Sequence, residues 1–310
     1  MLFFLAVLLP GIYWQGGADT APLLQKAGIT HILVPASRAA SWKNVAGVDA
    51  QIADLQGAQK LPVPGVSFRM SRASATRVPW VTSNGWQFMR RPKSRFYYQV
   101  DGNGAALAAA EAFCYGADAF IQTDISGLEP LGQMLKFLST INPPDGSPVA
   151  DIGFIDDGSP AAGEVMNLLV RDNLLFKLVP ANEPGLKLTV RFGSKEYPAA
   201  EAKNPDVLAH KIRANLGDDR RSLRIYGTSI VVARLTKEPG GLRLHLLNYG
   251  AGNGARVGAF RVHIAGHYEK AQLHSYDSPA DQLIEYNAAQ DATEFTVPDL
   301  HGYAVVDLTK

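Results

Sequence analysis

The alternation of apolar and polar positions changes character along the chain. In the first third, short apolar runs alternate with amphipathic stretches. Gly11–Gln15 reads as a strand. Asp19 or Thr20 can cap a helix that has Pro22 in its first turn and ends at Gly28. Thr30–Val34 is a second strand, stopped by Pro35. A helix-like stretch covers Asp49–Gln56, and Val63–Phe68 offers a third strand whose pairing is limited by Pro62 and Pro64. Residues 69–104 are irregular and aromatic-rich, which predicts long loops with short strands. Ala105–Tyr115 predicts a helix, Ala119–Gln122 a strand, and Leu128–Ser139 a helix with Leu128, Leu131, Leu135 and Leu138 on one face. Such β–α alternation implies a mostly parallel sheet with helices outside it.

Asn142–Pro148 is rich in proline and turn residues and reads as a linker. A second α/β unit follows. It has strands at Ala150–Ile155, Leu174–Val179, Leu186–Arg191 and Ser229–Leu235. Its helices start at Ser159–Pro160 and at Asn204–Pro205, the latter stopped by Gly217. From Leu242 the period becomes two. Leu242, Leu244 and Leu246 alternate with Arg243 and His245; Phe260, Val262 and Ile264 alternate with Arg261 and His263. This is the signature of antiparallel strands with one buried face. About 70 residues without a helix predict a small β-sandwich that needs a neighbour to cover its edges. The expected division is 1–146, 147–238 and 239–310: a shortened (β/α)-barrel-like unit, a Rossmann-like α/β unit and an antiparallel sandwich.

Composition narrows the function classes. The chain has 310 residues, 46% hydrophobic and 19% charged, with a net charge of +1. That balance is globular, and without a basic stripe it argues against nucleic acid as a partner. Arg90, Arg91, Lys93 and Arg95 cluster, but too briefly to change this. The single cysteine, Cys114, excludes a disulfide framework and reads as a buried small hydrophobe. The apolar run Met1–Pro10 is too short to span a bilayer. It suits a clipped secretory signal better than a buried first strand or an anchor, and so predicts export to the periplasm or the exterior. The seven histidines show no metal-ligand spacing, and neither a phosphate-binding glycine loop nor a Gly-x-Ser-x-Gly elbow is present. No metal or cofactor is expected.

Three stretches carry a family resemblance: Ala105–Phe120, Ala150–Asp157, and Arg243–Tyr249 with Gly302–Leu308. Respectively they resemble the helix and strand that close a barrel, the opening strand of a glutamine-amidotransferase-like domain, and a terminal β-domain. Together they resemble glycoside hydrolases of family-42 β-galactosidase layout. The resemblance implies a carbohydrate-active protein, with the middle domain serving assembly and self-association open. Two departures matter. Fewer residues precede the linker than the roughly 200 or more of a full barrel. The middle unit also has no nucleophilic cysteine, so amidotransferase chemistry is not expected.

Glycoside hydrolysis generally needs two carboxyl groups flanking the scissile bond, set just past the carboxyl ends of strands. Asp124 meets that condition, with a helix cap as its competing role. Glu111 is mid-helix and Asp101 is in a turn, so no convincing pair emerges. Trp14, Trp80 and Trp86, with Gln15, Asn84 and Arg69, are candidates for sugar binding, because sugars present apolar faces and polar edges to aromatic and amide groups. Arg77 could add a donor; the competing role for each tryptophan is to pin a loop onto the core. Asp156 and Asp157 sit at a strand-to-helix turn, where capping competes with ligand binding. Two functions follow: a glycoside hydrolase, or a non-catalytic relative that binds glycan or serves assembly.

Overall fold

The computed structural model describes residues 9–67, 79–141, 147–278, 281–289 and 291–310. The fold is mixed α/β, with parallel and antiparallel sheets. The first eight strands are β1 (Gly11–Tyr13), β2 (His31–Val34), β3 (Asp49–Ile52), β4 (Gln59–Lys60), β5 (Gly65–Ser67), β6 (Trp80–Thr82), β7 (Phe96–Gln99) and β8 (Ala119–Gln122). Six of them form one sheet in the order β3-β2-β1-β8-β7-β4, every pair parallel. The last strand returns to pair with the first, which is how a (β/α) barrel winds, but the sheet stays open between β3 and β4.

Five helices belong to this part: α1 (Ala21–Lys26), α2 (Ala36–Trp42), α3 (Gly85–Arg90), α4 (Gly104–Tyr115) and α5 (Ile125–Leu138). The α4 helix is almost wholly buried, which its run of alanines allows by keeping the cylinder thin. Cys114 is buried within it, and burial pushes its thiol up to about 12.

Three readings of this region need correction. Asp49–Gln56 is no helix: residues 49–52 form β3, with His31 opposite Asp49 and Val34 opposite Ile52. Pairing to β2 overrides the local helical spacing. The strand near residue 65 is outside the parallel sheet, forming an antiparallel hairpin with β6. The stretch 69–104, expected to be long loops with short strands, has the short strands β6 and β7 in its described part but also a helix, α3.

The second unit has a three-stranded parallel sheet, β9 (Ile152–Ile155) between β10 (Phe176–Leu178) and β11 (Leu188–Arg191). Its helices are α6 (Pro160–Arg171), capped by the Ser159 hydroxyl on the Ala162 N–H, and α7 (Pro205–Leu216).

The antiparallel part begins upstream of the expected boundary at 239. Strands β12 (Leu223–Tyr226) and β13 (Val231–Glu238) belong to it, and β13 forms a hairpin with β14 (Gly241–Asn248) from Val231–Asn248 to Glu238–Gly241. The other strands are β15 (Phe260–Ala265), β16 (Lys270–Ser275), β17 (Gln282–Leu283), β18 (Tyr286–Ala289), β19 (Ala292–Val297) and β20 (Tyr303–Thr309). They build a four-stranded sheet, β12-β15-β19-β18, over a five-stranded one, β13-β14-β20-β16-β17. Leu244, Leu246, Ala304 and Val306 face the sandwich core. The opposite face of the five-stranded sheet is not solvated as its alternation suggested. Leu247, Tyr303 and Val305 join the core of the first unit, and His245 is fully buried beside Tyr303.

Candidate functional site: the open face and carboxyl rim of the parallel sheet

The two faces of the six-stranded sheet differ. On one, Ile12, Trp14, Ile32, Val34, Phe96, Tyr98 and Ile121 are buried in the core. On the other face, Tyr13 and Phe120 near the centre are buried too, whereas His31, Leu33, Asp49, Gln51, Lys60, Tyr97, Gln99 and Gln122 are exposed or half-buried. Sheets made only of parallel strands are normally covered on both faces; here, among the described residues, most positions of the second face keep part of their surface exposed. Register arranges it in rows. Gln51, Leu33, Tyr13, Gln122 and Gln99 lie side by side on β3, β2, β1, β8 and β7. Asp49 and His31 are neighbours on the adjacent row, as are Phe120, Tyr97 and Lys60. Lys60 Nζ donates to Gln99 Oε1 at 2.8 Å, and the Arg95 guanidinium lies 5.2 Å from the centre of the Phe120 ring.

A cavity of about 730 Å³ borders this face at His31, Leu33, Asp49 and Gln51, and continues below the sheet between Lys26 and Lys136. It lies toward the amino ends of the strands, whereas sequence reasoning looked to their carboxyl ends. The open face joins the two.

At the carboxyl rim, Gln15, Asp101 and Asp124 each lie two residues past the last residue of β1, β7 and β8. Gln99 stands opposite Gln122 and Tyr13 opposite Gln122. The Val100 N–H donates to the Gln122 carbonyl and the Gly102 N–H reaches the Asp124 carboxylate, which brings the turn at Asp101 beside Asp124. Asp124 caps α5: its Oδ1 accepts from Ser126 Oγ at 2.6 Å and from the Gly127 N–H at 3.1 Å. The Ser126 hydroxyl, together with the Gly102 and Gly127 N–H groups, holds its carboxyl below the usual carboxylate range. Asp124 is therefore a charged group at neutral pH, unsuited to donating a proton. Asp54, past the end of β3, adds to the burial that raises the Tyr13 phenol.

The other sequence candidates are placed elsewhere. The Trp14 ring lies on the covered face, 3% exposed, with its Nε1 donating to Thr20 Oγ1. Asn84 is fully buried; its Nδ2 donates to Glu111 Oε2 at 3.0 Å and to the Pro62 carbonyl. Trp80 sits under the Arg171 guanidinium at 4.1 Å. Trp86 lies beneath Arg90 and close to Gly163 of α6. Both tryptophans lie at the seam with the second unit, where Arg90 also grips Asp156 through two bonds of 2.8 Å. Asp156 thus serves an ion pair, and Asp157 accepts from the Ser159 N–H in the turn. Arg69 and Arg77 lie outside the described residues. Of the predicted set, Gln15 and Asp124 both lie two residues past the ends of the neighbouring strands β1 and β8. Sequence reasoning missed Tyr97, Gln99 and Gln122; their alternation with buried residues was the available signal.

Glu111, set aside as mid-helix, is the most heavily bonded acid of this part. Its carboxylate accepts from Ser83 Oγ, the Asn84 N–H and side chain, the Tyr98 hydroxyl at 2.6 Å and the Tyr249 hydroxyl at 2.5 Å. All five groups are sealed from solvent, so this is an internal brace and not a substrate site. Among the described residues no group of three or more His, Cys, Asp or Glu side chains could hold a metal ion, and no helix is long and apolar enough to cross a membrane.

No protein family model matches the sequence, and no curated protein sequence does. Solved structures do share the fold. The chain superposes on an α-L-fucosidase isoenzyme 2 from Paenibacillus thiaminolyticus with a TM-score of 0.57 at 10% identity, covering 82% of this chain and 65% of that one. A rhamnosidase from Novosphingobium sp. PP1Y matches at TM-score 0.43 and 12% identity, over 69% of this chain and 31% of that one. A β-galactosidase from Bacillus circulans sp. alkalophilus matches at TM-score 0.40 and 10% identity, over 93% and 61%. The structural neighbours are glycoside hydrolases, and the chain spans less than two thirds of each of these three. At such identity the likeness concerns the fold alone.

Proposed function

We propose that this chain is a carbohydrate-binding protein of glycoside-hydrolase fold, holding a glycan along the open face of its parallel sheet. The observation that carries this reading is the set of exposed and half-buried positions on that face among the described residues. It offers half-buried Tyr97 and Leu33 for the apolar faces of sugar rings. It offers Gln51, Gln99, Gln122 and Lys60 as hydrogen-bonding groups for their hydroxyls. The adjoining cavity of about 730 Å³ is within the usual range for ligand sites. The name of the fucosidase neighbour suggests fucosylated glycans for the first panel.

Calorimetric titration of neutral oligosaccharides, fucosylated ones among them, tests it. Binding is expected without release of reducing ends, and Tyr97→Ala should weaken it tenfold or more. No binding by the wild type to any member of a broad panel would sink the reading.

One observation favours hydrolysis as a second reading: Asp101 and Asp124 lie two residues past the ends of neighbouring strands. Asp124 would act there as the charged carboxylate and Asp101 as the proton donor. Reducing-end release that disappears in both Asp101→Asn and Asp124→Asn would replace the binding reading with this one.

A further inference from the structure

The terminal sandwich has a cleft of its own, far along the sequence from the open face. Its volume is about 400 Å³, and it lies at the edge of the four-stranded sheet. Strand β18 closes that edge, with Tyr286 opposite Phe295 and Asn287 opposite Glu294. Among the described residues no further strand pairs beyond β18 in this sheet, and Tyr286 remains 37% exposed. Its hydroxyl is tied to the Glu269 carbonyl, which fixes the ring's far end while leaving part of its surface to the cleft. Gln282, Asn287, Thr296, Arg261 and Glu294 also line the space.

The polar groups are held before any ligand arrives. Glu294 accepts from Arg261 Nη2 at 2.8 Å and from His263 Nδ1 at 2.8 Å. Arg224 Nη2 donates to His263 Nε2 at 2.6 Å, so the ring proton sits on Nδ1 and points at Glu294. Such preorganisation lowers the entropy cost of binding. The lining also selects a ligand class. Glu285 and Glu294 outnumber Arg261 as formal charges, which disfavours phosphates and other anions. Amide, hydroxyl and guanidinium groups stand beside the Tyr286 ring and the apolar Phe295, Ile284 and Pro298, a mixture that disfavours a purely apolar ligand.

We propose that this cleft is a second glycan site, taking one or two neutral sugar rings against Tyr286. The ligand class rests on the reading of the open face as a glycan site; the geometry of the cleft does not. Two sites on one chain would hold a polysaccharide at two points and raise avidity without new contacts.

The test is calorimetric titration of the full chain with 2′-fucosyllactose, galactotetraose and cellotetraose, comparing wild type, Tyr286→Ala, Tyr286→Phe and Tyr97→Ala. Thermal melts check that each variant is folded. Two equivalents are expected for the wild type and one for Tyr286→Ala, with affinity at the lost site down at least tenfold. Tyr286→Phe should keep both, because the ring face is retained. An unchanged isotherm in Tyr286→Ala overturns the second site, as does loss of all binding in Tyr97→Ala. Loss of binding in Tyr286→Ala alone, with Tyr97→Ala unaffected, upholds this site and removes the open-face reading. No binding by wild type to any of the three sugars overturns the second site.

Discussion

Tyr249, in the turn that follows β14, donates its hydroxyl to Glu111 Oε1 in the middle of α4, across 138 residues of sequence. The sandwich is thereby braced to the first unit through a sealed polar cluster. Tyr249→Phe removes one donor from a buried carboxylate and should cost about 1.5–3 kcal/mol, read as a lowered urea midpoint. The same burial sets an alkaline limit. Tyr98, Tyr249 and Tyr303 all have phenols raised well above the ordinary value, first of all by burial. Unfolded tyrosines lose protons near pH 10 while these keep theirs, so the stability they contribute is complete below about 10 and falls as pH rises further. Ionisation of these three should appear as the last part of the tyrosinate absorbance, together with loss of the circular dichroism signal. Ionisation of all tyrosines in a still-folded chain would contradict the brace.

Asp124 is placed as a cap, and a conservative pair of variants separates that role from chemistry. Asparagine caps helices about as well as aspartate, whereas alanine costs about 1 kcal/mol. Asp124→Asn should therefore melt near the wild type and Asp124→Ala below it, with glycan affinity unchanged in both. Lost affinity in a fully stable Asp124→Asn would assign the carboxylate to the ligand.

Gly132 lets α5 approach α1. A Cβ at this position would fall 1.9 Å from the Ala27 carbonyl oxygen, a backbone atom that cannot swing aside. Gly132→Ala should destabilise by about 1–3 kcal/mol, as overpacking commonly does. A melting temperature equal to that of the wild type would show that the two helices are not held at this distance.

His274 bridges two carboxylates on the five-stranded sheet. Its Nδ1 meets Asp281 at 2.7 Å and its Nε2 meets Asp307 at 3.4 Å. Hydrogen bonding to Asp307, then to Asp281, raises the imidazole above its ordinary value despite partial burial. Its contribution to stability is then complete below about pH 6.5 and is lost as pH rises through the raised value. Buried His245 acts oppositely. Burial, then Arg234 and Arg243, holds it well below the ordinary value, so its contribution is present above about pH 6.5 and lost on acidification. His274→Gln should flatten the decline of denaturant stability on the alkaline side of pH 6.5 and leave the acid limb intact. An unchanged pH profile would show that the bridge carries no stability.

Much of the local structure is legible in the chain. Ser159–Pro160 starts α6 because a hydroxyl cap and a proline at the first position suit a helix entry. The leucines of 128–138 mark the buried face of α5, and the period of two from Leu242 marks the sandwich strands. Asp49–Gln56 looks helical in sequence because so short a stretch carries too little periodicity to outweigh a pairing partner in β2. Trp80 and Trp86 suit sugar platforms in sequence because an exposed loop and an interdomain seam have the same composition.

What the amino-acid order determined by itself is which residues share a face of each element, since side-chain direction follows from backbone period. What it left to the tertiary structure is what each face meets. The face of β14 that carries Arg243 and His245 reads as solvated, yet its Leu247 end packs into the core of the first unit. The faces of β2 and β7 alternate in the same manner, yet one half of that alternation stays open. Glu111 reads as a misplaced charge until Tyr98, Asn84 and Tyr249 arrive from three distant segments. Burial and partner choice are properties of contacts between segments, and a local pattern cannot encode them alone.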